Sequence, residues 1–306
     1  MNRIFAHLVL MRPANIVTAI ADIMAGFAAA GAVRLIQQEV GSAYGSLYHP
    51  LASDLGWLVL STIGLYGGGV VFNDVFDAEL DKVERPERPI PSGAATKASA
   101  ATLGALLLLL GIGAAFVVST TSGVIAAVVA GLALLYDAWG KHQGFLGPIN
   151  MGACRGGNLL LGMSAVTSSL EHYWYLAFIP IVYIANITVI SRGEVHGGSR
   201  PILQAAVALY VLVFLSIGAL SFLPHFSLLT ALPFALLFAY LILLPLLKAV
   251  KTLQPQEIRL AVKAGVLSLI IMDATLAAGF AGWLYGLAVL LLFPVSRFMA
   301  KQFAVT

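Results

Sequence analysis

Ten stretches of the chain each approach the roughly 20 apolar residues that cross a bilayer as a helix. They lie at residues 15–33, 55–73, 98–119, 122–138, 148–167, 173–191, 203–222, 227–248, 259–278 and 281–297. No set of water-soluble layers accommodates them. In lipid a segment must satisfy its own backbone N–H and C=O groups, which leaves helices or a closed barrel. Segments this long and evenly apolar lack the alternation of a barrel strand. The pattern predicts an all-α fold, a polytopic transmembrane helical bundle, as one integral-membrane domain over residues 1–306. Charged residues are only 10% of the chain, where a soluble domain carries about 25%. The last two segments are nearly continuous, so nine spans are secure and the tenth is an addition to them.

Basic residues set the orientation. With the N-terminus in the cytoplasm, fifteen of the seventeen face that side, among them Arg3, Arg12, Lys82, Lys97, Lys248, Arg297 and Lys301. Arg34 falls outside and Arg155 within a span. The N-terminal stretch does not read as a signal peptide, because Arg12 and Pro13 interrupt it. A net charge of +3 with no basic stripe excludes a nucleic acid partner. One cysteine, Cys154, excludes a disulfide framework. His7, His49, His142, His172 and His225 are scattered, with no metal-site spacing. The pattern fixes no oligomeric state.

The chemistry concentrates in residues 73–93, NDVFDAELDKVERPERPIPSG, at the cytoplasmic end of the second span. If the helix continues, Asp74, Asp77 and Asp81 stand at i, i+3 and i+7 on one face, and Asn73 borders it. Clustered carboxylates disfavour one another's ionised forms unless a cation neutralises them. Their hard oxygens suit Mg²⁺, which takes one or two carboxylates together with phosphate oxygens of a substrate. The plain alternative is an exposed acidic helix end balanced by Lys82, Arg85 and Arg88.

These residues resemble the first aspartate-rich motif of the UbiA superfamily of intramembrane prenyltransferases, NDxxDxxxD followed by RxxRPxxxG. Asn73, Asp74, Asp77 and Asp81 match the first part; Arg85, Arg88, Pro89 and Gly93 match the second. Supporting matches are RPAN from Arg12 to Asn15, Tyr136 and Lys141 of YDAWGK, and CRGGNLLLG from Cys154 to Gly162. Within the superfamily the chain is most similar to the EboC branch. The resemblance implies nine helices around a central cavity in a bacterial inner (cytoplasmic) membrane, with the mouth on the cytoplasmic side. It implies Mg²⁺ as cofactor, held by Asn73, Asp74, Asp77 and Asp81, and a prenyl diphosphate bound through Arg85, Arg88 and Arg155. An isoprenyl group then passes to an unknown acceptor, with Asp77, Asp81, Lys141 and Tyr136 as catalytic residues and membrane lipid as surroundings.

The second aspartate-rich motif of the family belongs at the end of the sixth span. Here that region carries no aspartate. Glu194 is its one carboxylate and the fifth expected metal ligand, with Asn186, Ser191 or His196 as neutral partners; the alternative pairs Glu194 with Arg192 or Arg200. Lys141 is a diphosphate ligand or a membrane anchor, and it could pair with Asp137 at i+4. Tyr136 stabilises a carbocation through its ring or packs. Arg155 and Asn158 lie in an apolar span, where ionisable groups face a cavity or a partner; Asp22 and Asp273 are candidate partners for Arg155. Arg12 and Asn15 contact substrate or anchor the first span. The altered second motif leaves a rival to turnover: a protein that binds or transports an isoprenoid-linked metabolite. A phosphotransferase of CDP-alcohols lacks support, because its DGxxAR motif is absent.

Overall fold

The computed structural model describes residues 2–40, 50–194 and 197–303; His49 and His196 lie outside them. Among the described residues there is no strand. The bent pair α1 (Arg3–Leu10) and α2 (Pro13–Ala29) leads to an amphipathic α3 (Ala32–Val40). Next come α4 (Pro50–Phe76), the short α5 (Ala78–Glu84), α6 (Lys97–Val118), α7 (Thr120–Ala138) and α8 (Leu146–Met163). A two-turn α9 (Thr167–Tyr173) runs into α10 (Phe178–Ser191), followed by α11 (Arg200–Ala219), α12 (Leu228–Thr252) and α13 (Pro255–Ala281). The chain closes with α14 (Trp283–Leu290) and α15 (Leu292–Gln302).

Each of the ten apolar segments coincides with one of these helices or helix pairs. Among the described residues eight helical stretches are long and apolar enough to cross a membrane, and nine when α1 and α2, bent by 42°, count as one. The remaining segment is α8. Its 18 residues give about 27 Å of helix, enough for the hydrocarbon core, but it carries Asn150, Arg155 and Asn158 and is the most polar of the ten. It packs between α2, α7 and α10, so its polar groups face protein rather than lipid.

Local chemistry sets the boundaries. Pro13 and Pro255 open α2 and α13, where their missing N–H costs no helical hydrogen bond. Thr96 caps α6 by accepting from the Ser99 N–H at 3.0 Å. Ser119 both ends α6 and caps α7, accepting from the Ser122 N–H at 3.0 Å. The tenth segment is a separate helical stretch, long and apolar enough to cross a membrane. Gly282, at φ 89°, ends α13, and α14 and α15 run back along it to α2. There the Ser296 hydroxyl donates to the Ala14 carbonyl at 2.9 Å.

The main core joins α2, α8 and α10–α14, and a second cluster joins α2, α4, α6, α7 and α8. α2 and α8 approach very closely. A Cβ on Gly26 would stand 2.1 Å from the Leu159 carbonyl oxygen, and one on Gly162 would stand 2.3 Å from that of Ile23. Small residues let backbones in lipid meet this way, and the contact brings the polar residues of α8 onto α2. Arg12, Arg88, Lys141, Arg192 and Arg259 all make contacts at one end of the bundle.

Candidate functional site

The acid stretch lies where α4 passes into α5. α4 has 27 residues, about 40 Å of helix, so its last turns stand at the edge of a hydrocarbon core roughly 30 Å thick. Asp77 interrupts the helix only slightly. Its N–H still donates to the Asn73 carbonyl at 3.0 Å, and the Asp81 N–H to the Asp77 carbonyl at 2.8 Å. The three aspartates therefore keep a shared face. Beyond Arg85 the chain folds into a tight loop, in which the Ser92 N–H bonds the Arg88 carbonyl at 3.0 Å and Gly93 adopts φ 76°. That left-handed backbone favours glycine, and the loop turns the Arg88 side chain back over the acids.

A cation meets each carboxylate. Asp74 accepts from Arg12 at 2.6 Å and from Arg88 at 3.3 Å. The same Nη1 of Arg88 donates to Asp81 at 2.8 Å. Asp77 accepts from the Lys141 ammonium at 2.5 Å. Asp74, Asp81 and Arg88 are buried, whereas the Asp77 side chain remains 20% exposed. Burial of like charges without partners is costly, so the guanidiniums and the ammonium are what permit this cluster to exist.

Lys141 reaches Asp77 rather than Asp137. α7 stops at Ala138, Trp139 leaves helical geometry at φ −144°, and a 3-10 turn over Gly140–His142 follows. The i+4 relation to Asp137 is thereby lost. Asp137, also buried, instead accepts from the Asn73 amide at 2.9 Å. Tyr136 is half-buried beside this group.

The loop after α10 forms the other side of the mouth. Glu194 ends a 3-10 turn, its carbonyl accepts from Arg259 at 3.2 Å, and its side chain faces the charges of Arg259 and Arg85. Arg85 is exposed. Arg192 turns away from Glu194 and donates to the carbonyls of Gly144 and Gln143 at 2.6 and 2.9 Å. The neutral candidates of this region have other partners: the Asn186 amide donates to the Ala206 carbonyl at 2.9 Å, and the Ser191 hydroxyl to the Thr188 carbonyl at 2.9 Å.

Arg155 stands apart from the acid stretch. It lies nine residues into α8, about 13 Å from the helix start. It donates to Asp22 at 2.8 Å and Thr18 at 2.7 Å, and its guanidinium sits 4.9 Å from the centre of the Tyr66 ring. Asn158 extends the network, donating to Asp22 at 3.0 Å and accepting from Thr62 at 2.8 Å. Asp273 of α13, fully buried, faces Asp22 and the charge of Arg155. Thr62, Tyr66 and Asn73 of α4, with Asp77 just past its end, fall at helical intervals on one side, between this buried group and the mouth.

The donor set tests the expected metal. Among the described residues no three His, Cys, Asp or Glu side chains group as a protein-only metal site would require. Asp77 and Asp81 do offer adjacent hard oxygens at the mouth. With Arg88 and Lys141 displaced, those oxygens would suit one Mg²⁺ completed by phosphate oxygens and water. At the second loop Glu194 stands as a single carboxylate between two arginines.

Two contacts were not foreseen from sequence. Arg12 reads there as an anchor or a substrate contact, and its bond to Asp74 has one visible signal, the match of RPAN. The Asn73–Asp137 bond has none, since it depends on how α4 meets α7.

A model of the UbiA prenyltransferase family matches residues 40–270. The chain is 30% identical over 197 residues to a digeranylgeranylglyceryl phosphate synthase of Ignicoccus hospitalis, covering 64% of this chain and 59% of that one. It is 32% identical over 164 residues to the protein of that name from Saccharolobus solfataricus, covering 51% and 57%. A third, from Methanothrix thermoacetophila, is 33% identical over 194 residues, covering 61% and 67%. The chain thus spans less than two thirds of the length of the first two. Among solved structures, one of a digeranylgeranylglyceryl phosphate synthase in membranes superposes with a TM-score of 0.66 at 20% identity, covering 92% of this chain and 99% of that one. The apo structure of a UbiA homolog from Aeropyrum pernix K1 gives 0.63 at 17% identity, covering 84% and 96%. At these identities the two structures share the fold.

Proposed function

The chain belongs to the UbiA prenyltransferase family, and from that premise we propose that it transfers an isoprenyl group from a prenyl diphosphate to an acceptor within the membrane. The observation that carries this reading is the convergence of Asp74, Asp77 and Asp81 with Arg12, Arg88 and Lys141 at one end of an apolar bundle. Transfer of this kind breaks the C–O bond to diphosphate, leaves an allylic cation, and joins that carbon to a nucleophile that gives up a proton. The leaving group gathers negative charge as the bond breaks, and fixed cations in a water-poor site stabilise it strongly.

In this reading Lys141 and Arg88 turn from the carboxylates to the diphosphate oxygens, and Arg85 meets the diphosphate at the mouth. Asp77 and Asp81, together with Asn73, Asp74 and Glu194, are the oxygen ligands available to Mg²⁺, which when bound neutralises phosphate charge. The Tyr136 ring, beside Asp137 and Asp77, is the aromatic face assigned to the cation. Arg155 is tied to Asp22 and Thr18 in its resting arrangement, so contact with a diphosphate would require it to leave them. The charge bias supports placement in the inner (cytoplasmic) membrane with this mouth toward the cytoplasm.

The relatives' name makes geranylgeranyl diphosphate and a geranylgeranylglyceryl phosphate the first donor and acceptor to try. The test is diphosphate release by the purified protein in lipid, from geranyl, farnesyl and geranylgeranyl diphosphates, with and without Mg²⁺ and acceptor. Release that needs both Mg²⁺ and Asp77 is expected; metal-independent release, or none with any acceptor, removes the reading. The single carboxylate of the second loop favours one other reading, binding of an isoprenoid-linked metabolite without turnover. Mg²⁺-dependent binding of the diphosphates with no release at all would establish it.

A further inference from the structure

A groove of about 500 Å³ lies between α12, α13 and α15, away from the acid stretch. Its walls are apolar, built from Leu241, Leu244, Leu267 and Phe293, and its polar end carries Lys248, Lys263, Arg297 and Glu257. That end is on the same side of the bundle as the acid site. Arg259, two residues after Glu257, bonds Glu194, and Ser296, beside Arg297, bonds Ala14. Leu244 and Leu260 are more than half exposed, so the groove opens onto lipid.

Two features of the polar end call for a ligand. Glu257 takes the Lys248 ammonium on one oxygen at 2.9 Å, while its other oxygen is buried with no hydrogen-bond partner. A buried acceptor left unpaired is costly. Lys263 and Arg297 pair with no carboxylate among the described residues; Arg297 instead lies over the Phe293 ring, 5.8 Å from its centre. Three cations against one carboxylate leave the groove mouth positive. A zwitterionic headgroup would not balance it, and an anion with no donor would leave the Glu257 oxygen unsatisfied.

We propose that this groove binds an anionic membrane phospholipid whose headgroup carries both a phosphate and a hydroxyl donor, as phosphatidylglycerol does. The phosphate lies against Lys263 and Arg297, the Glu257 carboxylate turns its buried oxygen into the groove to accept from a headgroup hydroxyl, and a hydrocarbon chain fills the groove between α12 and α15. Lys263 sits two turns into α13, from where its long side chain reaches up to the phosphate level. The groove shares no residue with the acid site, so the proposal stands independently of the reaction.

The test is thermal unfolding of the full chain in neutral detergent with added phosphatidylglycerol, phosphatidic acid, phosphatidylcholine, geranylgeranyl diphosphate or inorganic phosphate. Phosphatidylglycerol should raise the melting temperature most and phosphatidylcholine least, and inorganic phosphate alone should have no effect. Lys263→Gln and Arg297→Gln should each weaken the response about fivefold, as expected for one cation near a charged surface. Glu257→Gln should erase the preference for phosphatidylglycerol over phosphatidic acid. Ala264→Phe, which changes no charge, should fill the groove and abolish the response. Native mass spectrometry of wild-type protein from mixed phosphatidylglycerol and phosphatidylcholine bilayers, which needs no variant, should show retained phosphatidylglycerol. Equal shifts with both phospholipids overturn the proposal, as does a full shift with phosphate alone, or a shift with the prenyl diphosphate that Lys263→Gln and Arg297→Gln abolish; a prenyl diphosphate shift untouched by those variants belongs to the acid site. A response that survives both Ala264→Phe and the loss of the two cations, or no retained phosphatidylglycerol, also overturns it.

Discussion

Arg12 and Asp74 are 62 residues apart in the chain and meet at 2.6 Å, the arginine reaching across from a left-handed backbone at φ 49°. A non-glycine residue held there stores roughly 1–3 kcal/mol of strain. The position is fixed because Pro13 follows and disfavours a right-handed helical conformation before it, and because the ion pair holds the side chain. Arg12→Ala should lower stability by removing the pair while keeping the strain. Arg12→Gly loses the pair but relieves the backbone, so it should be the more stable of the two by about 1 kcal/mol. Thermal unfolding in detergent separates them, and equal melting temperatures would show that no strain is stored.

Lys141→Ala removes the cation from Asp77 without touching the core, since both side chains keep some exposure. On the proposed reaction it should slow diphosphate release by about 10²–10³-fold, the usual effect of losing one group that stabilises a leaving anion. Asp77→Asn should raise the Mg²⁺ concentration needed for half-maximal rate. A Lys141→Ala rate within tenfold of wild type would assign the residue to anchoring.

Arg155→Met leaves Asp22 and Asp273 facing each other with no cation. Breaking a buried pair from one side costs about 3–5 kcal/mol. Adding Asp22→Asn removes the stranded charge and should recover part of that loss. A double variant no more stable than Arg155→Met alone would mean that the guanidinium acts mainly by packing on Tyr66.

Gly162→Val should destabilise by about 1–3 kcal/mol through overpacking, because its Cβ would stand 2.3 Å from the Ile23 carbonyl oxygen. Gly131→Ala, in an α7 position with nothing within 4 Å, should leave the melting temperature unchanged or raised. Similar losses at both sites would show that helix approach is not what Gly162 serves.

Glu79 serves as the control. It is fully exposed and pairs with Lys82 at 2.8 Å. The hydrogen bond from Lys82, followed by its charge, holds the carboxyl below the usual carboxylate range. Such a group adds stability above its unfolded-state pKa and loses it as pH falls through the lowered folded value. Solvent screens the pair, so Glu79→Gln should move neither melting temperature nor rate between pH 4 and 8, a range set around ordinary carboxylate titration. A measurable drop at neutral pH alone would show that the pair reaches into the site.

The membrane bundle was legible because apolar length is a property of each segment alone. The shared face of Asp74, Asp77 and Asp81 was legible for a similar reason, since helical spacing carries through the break at Asp77. The pairing of Lys141 was not. Spacing points to Asp137, and only the departure of Trp139 from the helix rotates Lys141 toward another element. Asp22 and Asp273 were both visible as partners for Arg155, but the hydrogen bond to Asp22 depends on the close approach of Gly26 and Gly162. Asn186 and Ser191 carry suitable oxygens, and their chain neighbours do not reveal that the Asn186 amide N–H and the Ser191 hydroxyl are turned to backbone carbonyls, with the Asn186 oxygen left buried.

The polarity of α8 bears on how the chain enters a bilayer during synthesis. An arginine near the middle of a segment costs about 2.5–3.5 kcal/mol to transfer from the insertion machinery into lipid, and Asn150 and Asn158 add to that cost. α2 is made earlier and carries Asp22, so a partner for Arg155 is already in place when α8 emerges. α13 and Asp273 follow more than a hundred residues later. Order of synthesis and the buried network therefore coincide: the partner of Arg155 on α2 is made before α8, and the last third of the chain brings Asp273 to a pair whose two members already exist.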